Sequence, residues 1–178
     1  TEKVERTIPL GNGPDLFIAA HESLGEWSRL GLVAPQPRNA TPIPPAIERA
    51  LTTTGGLYGL PLAKKGAALI YRRDRLAVPP ATGDALLALR RSGSPPLAYE
   101  TGSLYLHAAW LAASGGAILD EHDQPQLGTP AFVRSLEWLR QLQDQRLIPE
   151  ELSGADATQL FAKGQADLLI AGPWVLDD

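Results

Sequence analysis

Apolar and polar positions divide the chain into short alternating segments. "LFIA" (16–19) is an apolar run of strand length and predicts a short buried strand. In "HESLGEWSRLGLV" (21–33), Leu24, Trp27, Leu30 and Leu32 give a rough apolar face, which predicts a short helix. "APQPRNATPIPP" (34–45) carries too many prolines for a helix or a central strand and predicts an irregular surface loop. "AIERAL" (46–51) is a short helix that fades into "TTTGG". "LYGLPL" (57–62), "GAALIYR" (66–72), "PPLAYE" (95–100) and the apolar run 168–171 are strand candidates.

Helix starts are marked by capping residues. Thr82 precedes "GDALLALRR", whose closing arginines suit the negative end of a helix dipole. Ser103 precedes "LYLHAAWLAAS" (104–114), which Gly115-Gly116 stop. The strongest pattern runs over 130–147, with Thr129 as cap and Pro130 at the first helical position. There Phe132, Leu136, Leu139 and Leu142 form a stripe opposite Arg134, Glu137, Gln141 and Asp144, and Pro149 closes the segment. A last helix covers about 156–163 and stops at Gly164. Strands alternate with helices, which predicts an α/β fold with helices packed on a mostly parallel sheet.

Composition narrows the function classes. With 178 residues, a net charge of −4 and only short basic runs (Arg72-Arg73-Asp74-Arg75 and Arg90-Arg91), the chain is a poor partner for nucleic acid. The lack of cysteine excludes disulfides, thiolate metal sites and cysteine nucleophiles. No apolar run reaches the length of a membrane-spanning helix. The chain contains no methionine, even at its start, and reads as a processed or excised piece.

Catalytic and metal motifs fail on their own spacing. His21-Glu22 opens like a zinc-protease helix, but position 25 is glycine where the second histidine belongs. "GGLYGLP" and "GNGPD" match neither a dinucleotide fingerprint nor a P-loop, and no G-x-S-x-G elbow occurs. "DEHDQPQLG" (120–128) lacks the ligand spacing of a calcium loop and reads as a solvated hairpin between helices. His107, among alanines, reads as a core or groove histidine. Glu22 and Glu100 are the only pair of carboxylates that tempts a glycosidase reading, and nothing around them argues for a general acid. The expectation is a non-enzymatic protein without cofactor or metal.

Two aromatics point instead to ligand binding. Tyr105 falls in the first turn of a helix behind its cap, beside unpaired backbone N–H groups. Trp174 follows Gly172-Pro173, which end a strand and turn the chain. Open α/β folds bind ligands beyond the carboxyl ends of their strands. There an indole offers a stacking face to the C–H side of a sugar ring.

Four blocks then resemble one family, the maltose-binding and related extracellular solute-binding proteins. They are "GNGPDLFIAAHESLGEWSRLGLV", "GAALIYRRDRLAVPPAT", "YETGSLYLHAAWLAASGG" and "LFAKGQADLLIAGPW", in family order along nearly the whole chain. The resemblance implies a two-lobed α/β binding protein that takes up a sugar in an interlobe cleft and delivers it to the membrane permease of an ABC importer. It implies a periplasmic or extracellular location, with lipid anchoring through a missing N-terminus. It also implies an incomplete chain: residues 1–62 as part of lobe one, 63–66 as a hinge crossing and 67–178 as most of lobe two. The family's opening strand and helix and its long C-terminal return are missing. The incomplete lobe is then expected to associate with another copy or to expose the apolar surface of "LFIA". Weak ligand binding or none is expected at this length. A sensing or interaction domain of a signalling protein is the alternative use of the same fold.

By position, the resemblance implies Trp174 and Tyr105 as stacking residues and Glu22, followed by Ser23, as a lobe-one contact to sugar hydroxyls. Lys65 stands where the family's maltose-binding members have a glutamate, Ser103 replaces another, and Ala19 replaces an aromatic found there. Two acceptor-only carboxylates are thereby lost and one becomes a donor-only ammonium. That exchange points away from maltose itself and admits a charged, branched or acidic sugar.

Overall fold

The computed structural model describes residues 2–37, 42–89, 95–120, 122 and 124–176. The chain divides into two compact units, 1–64 and 65–178.

The first unit is built from short pieces. Helix α1 (Glu2–Thr7) leads through a 3-10 turn to an extended segment; a second 3-10 turn (His21–Ser23) opens α2 (Leu24–Arg29). Helix α3 (Pro45–Ala50) runs into a minimal hairpin of β1 (Thr52–Thr53) and β2 (Gly56–Leu57). Its buried anchor is Trp27, which packs edge-on against Phe17 at 5.3 Å and donates its indole N–H to Glu5 at 2.9 Å. Two expected strands are absent. Residues 16–19 are irregular, with Leu16 87% and Ile18 84% exposed, because the two-residue strands of this unit offer no ladder for them to join. Of residues 57–62 only Leu57 pairs; Pro61 has no N–H to donate, and Leu60 and Leu62 are exposed.

The second unit carries β3 (Ala68–Tyr71), α4 (Gly83–Leu87), β4 (Leu97–Tyr99), α5 (Leu104–Ala113), α6 (Pro130–Asp144), α7 (Gly154–Ala162) and β5 (Leu168–Ala171). The sheet order is β3-β5-β4. Strand β4 runs parallel to β5, with Tyr99 opposite Ile170, while β3 runs antiparallel, with Ala68 opposite Ala171. The α/β class stands, but the sheet is mixed rather than mostly parallel, because β3 enters it from the opposite direction to β4.

Strand alternation sorts the core into two layers. Leu97, Tyr99, Leu168 and Ile170 face Leu86, Leu106, Leu142, Leu147 and Ile148 on one side. Ala98, Leu169 and Ala171 face Ala157 and Ala166 on the other, closed by the half-buried Leu160 and Phe161 of α7. Covered on both faces, β5 reads as an unbroken apolar run.

The caps form as the sequence predicts. Thr82 accepts from the Ala85 N–H, Ser103 from Leu106 and Thr129 from Phe132. Helix α4 ends at Leu87, and Arg90-Arg91, expected to close it, lie outside the described residues. Helix α6 is rotated from its expected stripe: Ala131, Ser135 and Leu142 are buried while Leu136 is exposed. The polar Ser135 faces inward because it hydrogen-bonds the buried His107 at 3.0 Å. His107 also contacts the Tyr99 hydroxyl at 3.4 Å, so a hydropathy stripe misplaces the helix by one position. The helix ends before Pro149: Arg146 takes a left-handed conformation (φ 57°) and the Leu147 N–H closes onto Leu142 O. In the 120–128 stretch, Asp120 accepts from the backbone N–H groups of His122 and Gln124, which folds a local turn.

Candidate functional site

Strands β4 and β5 are parallel, so their carboxyl ends open on one edge of the second unit. Beyond that edge lies an open groove of about 570 Å³, within the usual range for small-ligand sites. Each wall begins where an element gives out. After β5, Gly172-Pro173 lead into a 3-10 turn that presents Trp174. After β4, Glu100 and a turn lead to Ser103, whose hydroxyl caps α5 and sets Tyr105 in the first turn. Thr158 and Gln159 of α7 line a further side.

The two aromatics meet. Tyr105 and Trp174 have ring centroids 6.2 Å apart and an interplanar angle of 50°. Both are about half exposed, 51% and 49%, in a unit whose other tyrosine next to the groove, Tyr99, is fully buried. Two van der Waals gaps of about 3.5–4 Å each would be needed to hold a sugar between parallel rings. At 6.2 Å and 50° the rings are tilted and leave no room for a sugar ring sandwiched between them. The Lys65 ammonium stands over the indole, 5.8 Å from its centroid, and adds a hydrogen-bond donor beside the platform.

The indole keeps its place through Gly172. A β-carbon at that position would fall inside the six-membered ring's van der Waals envelope, in contact with Trp174 Cζ3, Cη2 and Cε3. The Gly172 backbone is extended (φ −97°, ψ −178°), so the glycine is required for space and not for conformation. Opposite, the Glu100 carboxylate lies over the first residue of α7: a β-carbon on Gly154 would approach its Oε2 to 3.1 Å. Burial and the neighbouring Glu100 charge together push the Tyr99 phenol up to about 12. Burial alone pulls the His107 imidazole below its ordinary value.

Of the residues singled out in the sequence, Trp174, Tyr105 and Ser103 line this groove and Lys65 reaches it. The Ser103 oxygen is engaged in the helix cap. Glu22 and Ser23 sit in the first unit, on the 3-10 turn before α2, with Glu22 exposed. Sequence reasoning weighed Glu100 only as half of a glycosidase pair, and gave no role to Gln159 in the groove or to Gly172 beneath Trp174. Glu100 carried half a signal: it directly follows a predicted strand, but that this strand runs parallel to β5 emerges only in the fold. Gln159 carried none, since its helix was expected to begin only near 156 and no face was assigned to it.

A model of the family described as bacterial extracellular solute-binding protein matches residues 1–178. The maltotriose-binding protein of Pyrococcus abyssi is 28% identical over 181 residues, covering 94% of this chain and 39% of that protein. The maltodextrin-binding protein MdxE of Bacillus subtilis is 26% identical, covering 93% of this chain and 44% of its own length. Among solved structures, a cyclo/maltodextrin-binding protein complexed with maltotetraose superposes with a TM-score of 0.87 at 28% identity, covering 99% of this chain and 50% of the other. The chain thus spans less than half of the two relatives and half of the solved structure.

Proposed function

Because the chain belongs to the bacterial extracellular solute-binding proteins, we propose that its groove binds a carbohydrate of the maltodextrin class, without catalysis. The carrying observation is the half-exposed Tyr105–Trp174 pair at the carboxyl edge of the sheet. Aromatic faces there take up the apolar side of a pyranose, while Lys65, Glu100 and Gln159 are available to its hydroxyls. The relatives named above, which bind maltotriose or maltodextrin, support the ligand class. Glu22 and Ser23 belong to the same reading as contacts from lobe one, and residues 63–66 as the crossing between lobes. Delivery of the sugar to the permease of an ABC importer, from a periplasmic or extracellular position, completes the role.

The test is a titration of the chain with maltotetraose, followed by NMR chemical shifts so that millimolar affinity registers. One aromatic platform contributes about 1–3 kcal/mol in comparable stacking. Trp174→Ala should therefore weaken binding about tenfold or more while the shifts of Leu97–Tyr99 remain in place. Equal affinity in wild type and variant refutes the stacking role; no binding either by the wild type or by a chain completed to the family's two-lobed length refutes the function.

A further inference from the structure

The groove has an acidic end as well as an aromatic one. Glu100 follows β4 as Gly172 follows β5, and both strands open on the same edge. The Glu100 side chain is half-buried, lines the groove and rests on the first turn of α7. No hydrogen bond or ion pair to its carboxylate is found among the described residues. Two other polar groups nearby are already engaged: Ser103 caps α5, and the Thr158 hydroxyl donates to Gly154 O at 2.9 Å. Glu100 is the only carboxylate lining the groove among the described residues. It faces the ligand space with its acceptor capacity unspent.

From this placement we infer that Glu100 is the specificity-determining residue of the groove: it accepts the hydroxyl pair of a neutral sugar ring and rejects acidic sugars. The inference rests on the sugar-binding reading above and narrows it. A carboxylate offers acceptors only, on two oxygens, and two adjacent sugar hydroxyls supply two donors. Bonds to an ionised acceptor are about twice as strong as neutral ones. A uronic acid in the same place would set its own carboxylate against Glu100, and like charges at short range disfavour binding. The Gln159 amide, which both donates and accepts, lines the same groove and tolerates either orientation of the diol. Gly154 leaves the carboxylate its room.

The experiment compares maltotetraose with α-1,4-linked tetragalacturonate, titrated by NMR into the wild type, Glu100→Gln, Glu100→Asp and Trp174→Ala. Glu100→Gln keeps the shape and removes the charge, and circular dichroism checks its fold. It should weaken maltotetraose about tenfold and strengthen tetragalacturonate, so that the preference between the two narrows. Glu100→Asp, which keeps the charge, should retain the wild-type preference. If Trp174→Ala loses binding while Glu100→Gln keeps wild-type affinity and preference, this inference fails and the stacking site stands. A wild type that prefers tetragalacturonate also overturns it. Binding of neither sugar, by the wild type or by a chain completed to the family's two-lobed length, removes the underlying reading, and this one with it.

Discussion

Gly172→Ala isolates the feature on which the site turns. The Gly172 backbone is extended, so alanine adopts it without strain, and such a change alone stabilises a protein by about 0.4–1 kcal/mol through the unfolded chain. The new β-carbon, however, occupies the space of the Trp174 six-membered ring. An indole has two side-chain torsions and cannot yield by tenths of an ångström at that overlap; it must leave for another rotamer. Trp174 is 49% exposed, so roughly 120 Å² of an aromatic surface of up to about 250 Å² is covered. At about 25 cal/mol per Å², releasing it costs about 3 kcal/mol, and the alanine gain offsets part of that. The expected net loss is about 2 kcal/mol in urea denaturation. Tryptophan emission should shift to the red, and maltotetraose binding should weaken about tenfold, as for Trp174→Ala. A variant with wild-type emission and wild-type sugar affinity would refute the claim that Gly172 seats the platform.

Three further predictions test the fold around the site. Leu142→Ala empties a position with no exposure, between α6 and the sheet, and should cost about 2–5 kcal/mol in urea denaturation. Arg146→Gly relieves a left-handed residue at the end of α6 and should stabilise by up to about 1 kcal/mol, read as a raised Tm. His107 is buried with its pKa lowered, so the unfolded chain binds its proton first as pH falls. Its contribution is complete above the unfolded pKa, about 6.5, and declines as pH drops toward the folded value. His107→Gln should flatten the stability profile below about pH 6.5 relative to wild type, measured by denaturation across pH.

Legibility in the sequence followed how local each cause is. Strand β5 and its stop at Gly172-Pro173 were readable because an apolar run and a proline act within a few residues. The caps at Ser103 and Thr129 were readable for the same reason. Residues 16–19 look like a strand by composition, but a strand needs a neighbour; only the resemblance, which implied an incomplete lobe, pointed to their exposure. Ser135 faces inward because His107, 28 residues earlier, needs a partner; hydropathy weighs the serine as polar and turns α6 the wrong way. At the site, Tyr105 and Trp174 stood out by their positions at element ends. Glu100 and Gln159 join them only once β4 and β5 are known to run parallel and α7 to pack beside them. The steric role of Gly172 depends on an indole folding back two residues, which a glycine-proline pair does not announce.

The most direct measurement is an NMR search for intermolecular NOEs between the ring protons of maltotetraose and the chain. The account predicts NOEs from pyranose C–H protons to both the Trp174 indole and the Tyr105 ring, which stand 6.2 Å apart. Bound maltotetraose giving NOEs elsewhere and none to these two rings would contradict it.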